Sequence, residues 1–236
     1  MGEGDIDILQ KKESIIINMN GKLPKRSCPL DLFITKTLKD FFRNNKFNRS
    51  LDISSGVGNA SYYLRGYSSM LHCVDLDKYL DMFTLKKYYK KIHFVKYDGK
   101  HIPYKDNAFN LVYSFDVIEH LNNYNLLTHE AICVLAKNGY LIIGTPNVNR
   151  IGNILLRLFY KLKFPRKLGN SYYGECIHIK ELSDKELQSI FSDIAQIKHI
   201  KSFYVGFGLV NFTLPKPPNF LNRYCNYLLS IYQKIS

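Results

Sequence analysis

The stretch Leu51-Asp52-Ile53-Ser54-Ser55-Gly56-Val57-Gly58-Asn59-Ala60 reads as the end of an apolar strand, a turn of small residues and the start of a helix. Gly56 and Gly58 accept backbone angles and close approaches that side-chained residues resist. Such a turn lets a ligand lie against bare main chain, where the free N–H groups of a helix start attract a carboxylate or phosphate. Gly-x-Gly pairs also occur in ordinary turns, so the rest of the chain must decide. About twenty residues on, Asp75 closes the next apolar run, a place from which a carboxylate accepts hydrogen bonds from ribose hydroxyls. The structural alternative is an N-cap of the following helix, a role that Asp77 suits better. Asp98 ends a third run before Gly99; it can accept from an adenine amino group or serve as a turn acid. Asp116, Glu119 and His120 are spaced i, i+3, i+4 and would share one face of a helical turn. Two carboxylates and an imidazole facing a cleft can bind a divalent cation such as Mg or Zn; otherwise Glu119 and His120 cap and pack the segment.

The elements that must carry these residues alternate. Pro29 to Phe42 repeats apolar residues at helical spacing, with Pro29 suited to a first turn. Strands are expected up to Asp52, over Met70 to Val74, Ile92 to Tyr97, Phe109 to Phe115 and Tyr140 to Gly144. Helices are expected over Ala60 to Leu64, Tyr79 to Tyr89 and Leu126 to Ala136, with Asn138-Gly139 as a turn and a helical segment opening at Asp116. Alternation of this kind implies right-handed crossovers and a parallel sheet covered on both faces. Ligands then sit beyond the carboxyl ends of the strands, and Asp52, Asp75, Asp98 and Phe115-Asp116 all fall at such ends.

Further along, Ile151 to Lys167 reads as a basic amphipathic helix, able to act as a lid, to lie on an anionic membrane or to pack on the sheet with a solvated face. Ser183 with Glu186 three residues later is a capping-box signature opening a helix over Asp184 to Phe191. Ile194 to Val205 and Phe207 to Leu214 are expected to pair as an antiparallel hairpin through Gly206. Phe220 to Ile235 reads as a helical tail. The expected organisation is a flexible lead-in over 1–28, one domain over 29–214 with a lid or insertion at 149–180, and a helical tail over 215–236.

Composition narrows the classes. The chain has 236 residues and a formal net charge of +13, which favours anionic partners such as RNA, DNA or an acidic membrane surface, though a solvated basic surface accounts for it equally. No apolar run reaches the roughly 20 residues needed to span a bilayer. The start lacks the order of a signal peptide. The five cysteines are far apart, which argues against a zinc knuckle or disulfide framework and suits a reducing cytoplasm. A dehydrogenase would also use a glycine turn and a ribose acid, but Ser-Ser-Gly-Val-Gly lacks the Gly-x-Gly-x-x-Gly spacing that suits a pyrophosphate.

Taken together, these residues resemble a class I S-adenosylmethionine (SAM)-dependent methyltransferase of the type 11 kind. Leu51 to Gly58 is similar to Leu-Asp-x-Gly-x-Gly-x-Gly, with Ser54 in place of the first glycine. Val74-Asp75-Leu76-Asp77 is similar to the ribose-binding strand end, and Asp98 to Tyr104 to the adenine-side loop ending in Leu-Pro-Phe. Phe109-Asn110-Leu111-Val112 is similar to Phe-Asp-x-Val, and Val117-Ile118-Glu119-His120-Leu121 and Lys137 to Leu141 also resemble family segments. The resemblance spans about residues 45 to 205. It implies a Rossmann-like α/β fold with a mostly parallel seven-stranded sheet and helices on both faces. It implies SAM held through Asp52, Ser54, Gly56, Gly58, Asp75, Leu76, Asp98, Gly99, Phe115 and Asp116, with Leu76 against the adenine and Phe115 and Asp116 beside the sulfonium.

The Asp116, Glu119, His120 group resembles the Glu-x-x-Glu-His of ubiquinone-biosynthesis O-methyltransferases. That likeness implies Glu119 and His120 as catalytic residues, a divalent cation on the three, and transfer to oxygen of a small or lipid-like acceptor. His178 would border the acceptor pocket or pack. Two rival functions are an RNA methyltransferase, suggested by the charge, and a non-catalytic scaffold on the same fold. The expected place of work is the cytoplasm, with peripheral contact to an anionic membrane.

Overall fold

The computed structural model describes residues 29–43, 45–56, 58–64, 66–76, 91–163, 179–209, 212–214 and 217–236. The predicted lead-in over 1–28, the predicted helix over 79–89, and Lys167 and His178 lie outside them. Five apolar runs form strands that pair in parallel: β1 (Phe47–Ile53), β2 (Ser68–Asp75), β3 (Lys91–Lys96), β4 (Phe109–Phe115) and β5 (Leu135–Pro146). Their order outward from β1 reverses between β2 and β4, which makes the β1–β4 junction the switch point.

Helices cover both faces. On one side lie α1 (Pro29–Phe42) and α2 (Asn59–Leu64), where Ile34, Leu38 and Phe42 of α1 follow the i, i+4 rule into a cluster with Leu71, Leu111 and Ile142. On the other lie α3 (Tyr124–Val134) and α5 (Asp184–Ser192), burying Leu127, Ala131, Leu187 and Phe191 against Leu51, Val112 and Leu141. The capping box at α5 forms as expected: Ser183 Oγ accepts from the Glu186 N–H at 3.3 Å, and the Glu186 carboxylate accepts from the Ser183 N–H at 2.9 Å. Helix α4 (Ile151–Lys163) follows β5.

Three expectations are corrected. Leu135-Ala136 leaves the helix and opens β5, which therefore runs through Asn138-Gly139 rather than starting after them. Asn138 takes the left-handed conformation (φ 62°), and the β4–β5 register shifts between Phe109 and Leu111, so the turn chemistry is absorbed as a bulge. Gly139 is required there, since a Cβ would stand 2.7 Å from the Ala136 carbonyl oxygen. Second, β6 (Ile197–Val205) does not pair with Phe207 to Leu214. Instead β7 (Phe207–Leu209) and β8 (Phe212–Leu214) form their own small hairpin.

The third correction is the largest. The tail is not a helix outside the domain: a 3-10 turn (Asn219–Tyr224) leads into β9 (Tyr227–Lys234), which inserts antiparallel between β5 and β6 and completes a seven-stranded sheet in the order β3-β2-β1-β4-β5-β9-β6. The eight residues of β9 are buried on both faces with almost no alternation, so their periodicity cannot separate strand from helix. Leu228, Leu229, Ile231 and Tyr232 are all at most 1 % exposed. At about 1.5–3 kcal/mol per buried large side chain, these four match the whole stability of an ordinary domain, about 5–15 kcal/mol. Lys234 ends the strand buried, its ammonium donating to the carbonyls of Ile132 and Leu135 at 2.8 Å each and to Asn107 at 3.0 Å. It thereby satisfies carbonyls at the C-terminus of α3.

A chain cut after Asn226 is expected to lose cooperative urea unfolding altogether, where a detachable tail would leave the transition intact. Lys234→Met, which keeps the stem and removes the donors, is expected to cost about 1–3 kcal/mol in the same measurement.

Candidate active site

The turn after β1 wraps over the end of β2. Ser54 and Ser55 donate their N–H groups to the Val74 carbonyl at 2.8 and 3.2 Å. Ser54, Gly56 and Gly58 all take positive φ, at 57°, 49° and 82°. Ser54 thus holds a glycine-type conformation with a side chain attached, and its hydroxyl lies 3.2 Å from that of Tyr97. Open space lies over the turn: a Cβ at Gly56 would meet nothing within 4 Å. Asp75 is 3 % exposed and grips the turn, one carboxylate oxygen accepting from the Gly56 N–H at 2.6 Å and the other from the Leu76 N–H at 2.6 Å. A carboxylate has about four acceptor positions, so Asp75 keeps capacity for hydroxyl donors while it braces the turn.

The third strand end forms the adjoining wall. Asp98 is exposed, and its Oδ1 accepts from the N–H groups of Lys100 and His101 at 2.7 and 2.8 Å. Those amides, His101 first, hold its carboxyl below the usual range. Glu130 on α3 accepts from the Ile102 N–H at 2.8 Å and ties this loop to the helix layer. Between them lies a small open hollow walled by Ile53, Tyr97, Gly99, Ile102, Leu126 and Leu127 among others, an apolar slot beside an Asx-closed loop. Leu76 does not face it; the side chain is 4 % exposed and belongs to the core.

β4 delivers the next wall. Phe115 stacks on Tyr227 of β9, with ring centres 6.4 Å apart at 21°, over Gly144, where a Cβ would stand 2.5 Å from the Phe115 ring. Asp116 turns left-handed (φ 55°), donates its N–H to the Gly144 carbonyl at 2.9 Å and accepts from the Tyr227 hydroxyl at 2.9 Å.

That turn breaks the predicted helical face. Only Ile118–His120 form a 3-10 turn, and Asp116 stands outside it. Among the described residues no group of three His, Cys, Asp or Glu side chains is arranged to hold a metal ion, so the Asp116, Glu119, His120 cation site is corrected. Glu119 and His120 are 0 % and 1 % exposed. The Glu119 carboxylate accepts from the Thr145 hydroxyl at 2.9 Å, and its carbonyl accepts from the N–H groups of Ile179 and Lys180. Glu119 thus joins the segment after β4 to β5 and to the 179–180 loop, bracing the rim from behind.

Asp52 is also corrected. It faces the α1–α2 layer, 1 % exposed, and accepts from the Ser61 hydroxyl, which in turn lies 3.1 Å from that of Tyr113. Burial, reinforced by the charge of Asp75 and opposed by the Ser61 hydrogen bond, pushes its pKa up to about 8. Asp52 positions α2 and touches no crevice. Sequence reasoning missed Tyr227 and Thr145: the first lay in a segment read as a helical tail, and the second carried no motif. It also missed Asn147, Arg150, Asn153 and Glu181, a buried polar cluster that anchors α4 to the rim. Arg150 pairs with Glu181 at 2.7 Å, Asn153 donates to the same carboxylate at 2.7 Å, and Asn147 donates to the carbonyls of Arg223 and Cys225 at 2.9 Å.

Two consequences are measurable. Between about pH 4 and pH 8 the folded chain keeps a proton on Asp52 that the unfolded chain releases. This contribution to stability is complete below the unfolded pKa and is lost as pH rises, with a slope approaching ~1.4 kcal/mol per pH unit. Asp52→Asn is expected to flatten that decline, matching the parent near pH 4 and exceeding it near pH 8 in urea titrations. Ser54→Gly is expected to relieve the left-handed serine and raise stability by about 0.5–1 kcal/mol, read as a melting temperature about 2 °C higher.

The comparisons agree with this architecture. Residues 51–143 match the family described as methyltransferase domain. No curated protein sequence matches the chain. Among solved structures, the N-methyltransferase NodS from Bradyrhizobium japonicum, in complex with S-adenosyl-L-homocysteine (SAH), is 12 % identical with a TM-score of 0.62, covering 99 % of this chain and 100 % of its own. The 1,6-didemethyltoxoflavin-N1-methyltransferase from Burkholderia thailandensis is 14 % identical with a TM-score of 0.62, covering 100 % and 92 %. A SAM-dependent methyltransferase from Thermotoga maritima, described as a possible histamine N-methyltransferase, is 15 % identical with a TM-score of 0.61, covering 87 % and 89 %. At these identities the structures speak for the fold, and the domain match speaks for the activity. With a methyltransferase domain matched over residues 51–143 inside this sheet, the findings support a class I SAM-dependent methyltransferase of the type 11 kind.

Proposed function

We propose that the chain transfers the SAM methyl group to oxygen of a small or lipid-like acceptor, an acidic hydroxyl of the phenol kind. The observation that carries the cofactor half is the joining of the open Gly56 turn to Asp75 at the switch point of the sheet. The turn's main chain would take the methionyl portion, Asp75 the ribose hydroxyls, and the apolar slot by Gly99 the adenine. The bound SAM supplies a methyl carbon already activated by positive sulfur. This chain's residues then have alignment and exclusion of water as their tasks.

The acceptor half follows from what surrounds the rim. Asp75, Asp98 and Asp116 are each engaged by hydrogen bonds, and Glu119 and His120 are buried. An acceptor that ionises readily near neutral pH brings its own lone pair and needs no strong base. Leu158 on α4 and Phe220 in the 3-10 turn are 55 % and 75 % exposed, and Arg157 and Arg223 beside them are exposed too. These exposed apolar and basic residues support a lipid-like acceptor and peripheral contact with an anionic membrane. No helix among the described residues is long and apolar enough to cross a membrane. A second reading, transfer to nitrogen, is favoured by the similar structures described as N-methyltransferases; a neutral amine also brings its own lone pair.

Incubation with methyl-labelled SAM and a host extract separates these readings. Label in a lipid-soluble fraction, released as volatile methyl iodide by hydriodic acid, is the expected result. Label held on a basic nitrogen supports the second reading, and label in RNA overturns both. Calorimetry tests the cofactor separately: Asp75→Asn is expected to weaken SAM and SAH together by about ten- to a hundredfold, the loss of one or two hydrogen bonds to a buried charge. Absence of SAM binding by the parent chain would instead fit a non-catalytic scaffold.

A further inference from the structure

We propose that the chain docks rim-first on an anionic lipid bilayer, with the first turn of α1, the middle of α4 and the 3-10 turn before β9 touching the lipid. A lipid-like acceptor then reaches the crevice from the bilayer without crossing water. The acceptor's route rests on the reading of a lipid-like substrate; the docking itself does not.

The charge of the chain is unevenly spread. Residues 131–174 and 194–236 contain no aspartate or glutamate and carry twelve lysines and arginines, so nearly all of the net charge of +13 falls in them. Those two stretches build one half of the molecule: β5, α4, β6, the β7–β8 hairpin, the 3-10 turn and β9. A half without carboxylates attracts anionic surfaces in general. What stands among its cations decides which kind.

Leu32, Leu158 and Phe220 are 62 %, 55 % and 75 % exposed. All three belong to the end of the molecule at which the crevice opens. α4 follows the rim end of β5 at Pro146, and the 3-10 turn enters β9 at Tyr227, the residue paired with Pro146. Asn147 ties the two approaches together, donating to the Arg223 and Cys225 carbonyls at 2.9 Å each. α1 finishes at the opposite end of the sheet, where Phe42 packs on Phe47 at the start of β1 with ring centres 5.3 Å apart. Leu32 precedes Phe42 by almost three turns, about 15 Å of helix, which brings it back toward the rim.

Each of the three has an exposed basic neighbour: Lys36 one turn from Leu32, Arg157 next to Leu158, and Arg223 one turn from Phe220. The Arg223 guanidinium also lies over the Tyr224 ring, 4.7 Å from its centre, a pairing that suits the boundary between headgroups and acyl chains. Exposed leucines gain nothing from a phosphate backbone, whereas acyl chains take them out of water while the headgroups meet the cations. A bilayer answers both halves of the pattern; a nucleic acid answers one.

The chain contains no tryptophan, so a single introduced one reports its own surroundings. Phe220→Trp and Leu158→Trp are titrated, without SAM or acceptor, with vesicles of phosphatidylcholine and phosphatidylglycerol in equal parts. Ile235→Trp, just past the far end of β9, is the control. Expected are blue-shifted emission and quenching by brominated acyl chains at positions 158 and 220, no change at 235, and no response to phosphatidylcholine alone. In co-sedimentation, Phe220→Ser is expected to weaken binding about ten- to a hundredfold, and Arg157→Gln about fivefold. Absence of binding to the anionic vesicles, or a shift at 235 without one at 158 and 220, overturns the docking. So does displacement from vesicles by single-stranded RNA that Phe220→Ser binds as tightly as the parent, which would assign the basic half to nucleic acid. Docking with methyl label only in water-soluble products refutes the acceptor's route and the reading it rests on; label in lipid without docking overturns the docking alone.

Discussion

A carboxylate on one strand holding an amide of the next strand's turn is the contact on which the crevice depends. Asp75 at the end of β2 and Gly56 beyond β1 are joined at 2.6 Å, with the Ser54 and Ser55 amides already bound to the Val74 carbonyl beneath. Without that brace a turn with three left-handed residues would have many conformations to choose from, since such backbone is stable only where its surroundings over-determine it. The remaining walls are built to the same plan. Asp98 closes its loop onto its own amides, Asp116 is clamped between Gly144 and Tyr227, and Glu119 is tied to Thr145. Each acidic group near the rim is first a structural acceptor, and whatever it offers a ligand is offered from a fixed position.

The same economy explains the buried polar cluster after β5. Arg150, just before α4, and Asn153 on it meet Glu181 from the 179–183 loop, and Asn147 donates to the 223–225 backbone. A buried ion pair adds little net stability, because desolvation offsets attraction, but its directional bonds permit few alternative arrangements. Here they set how the insertion, the loop before α5 and the approach to β9 meet beside the crevice.

Much of this was legible in the residues because the signals were local. β1 to β4 are apolar runs closed by Asp or Phe-Asp, and a Ser-x-x-Glu box marks α5. Asp75 and Gly56 could be placed at one rim from strand order alone. What escaped was non-local. β9 is buried on both faces, so nothing in its pattern told strand from helix, and with it went Tyr227 and the partner of Asp116. The spacing of Asp116, Glu119 and His120 suggested a metal face only if the segment were helical, and a single left-handed residue at Asp116 removed that premise. Asp52, the most family-like acid of the first motif, turned inward because the strand's alternation placed it opposite the crevice, against Ser61.

The placement of β9 bears on how the chain comes off the ribosome. β6 is made before β9, yet among the described residues its only neighbour in the sheet is β9, and the flank of β5 is likewise unpaired until that strand arrives about eighty residues later. For that interval two strand edges with apolar faces stand open, the condition under which nascent chains pair wrongly with one another. Lys198 and Lys201 of β6 sit on one of those edges, where like charges disfavour its pairing with a copy of itself before the proper partner is synthesised.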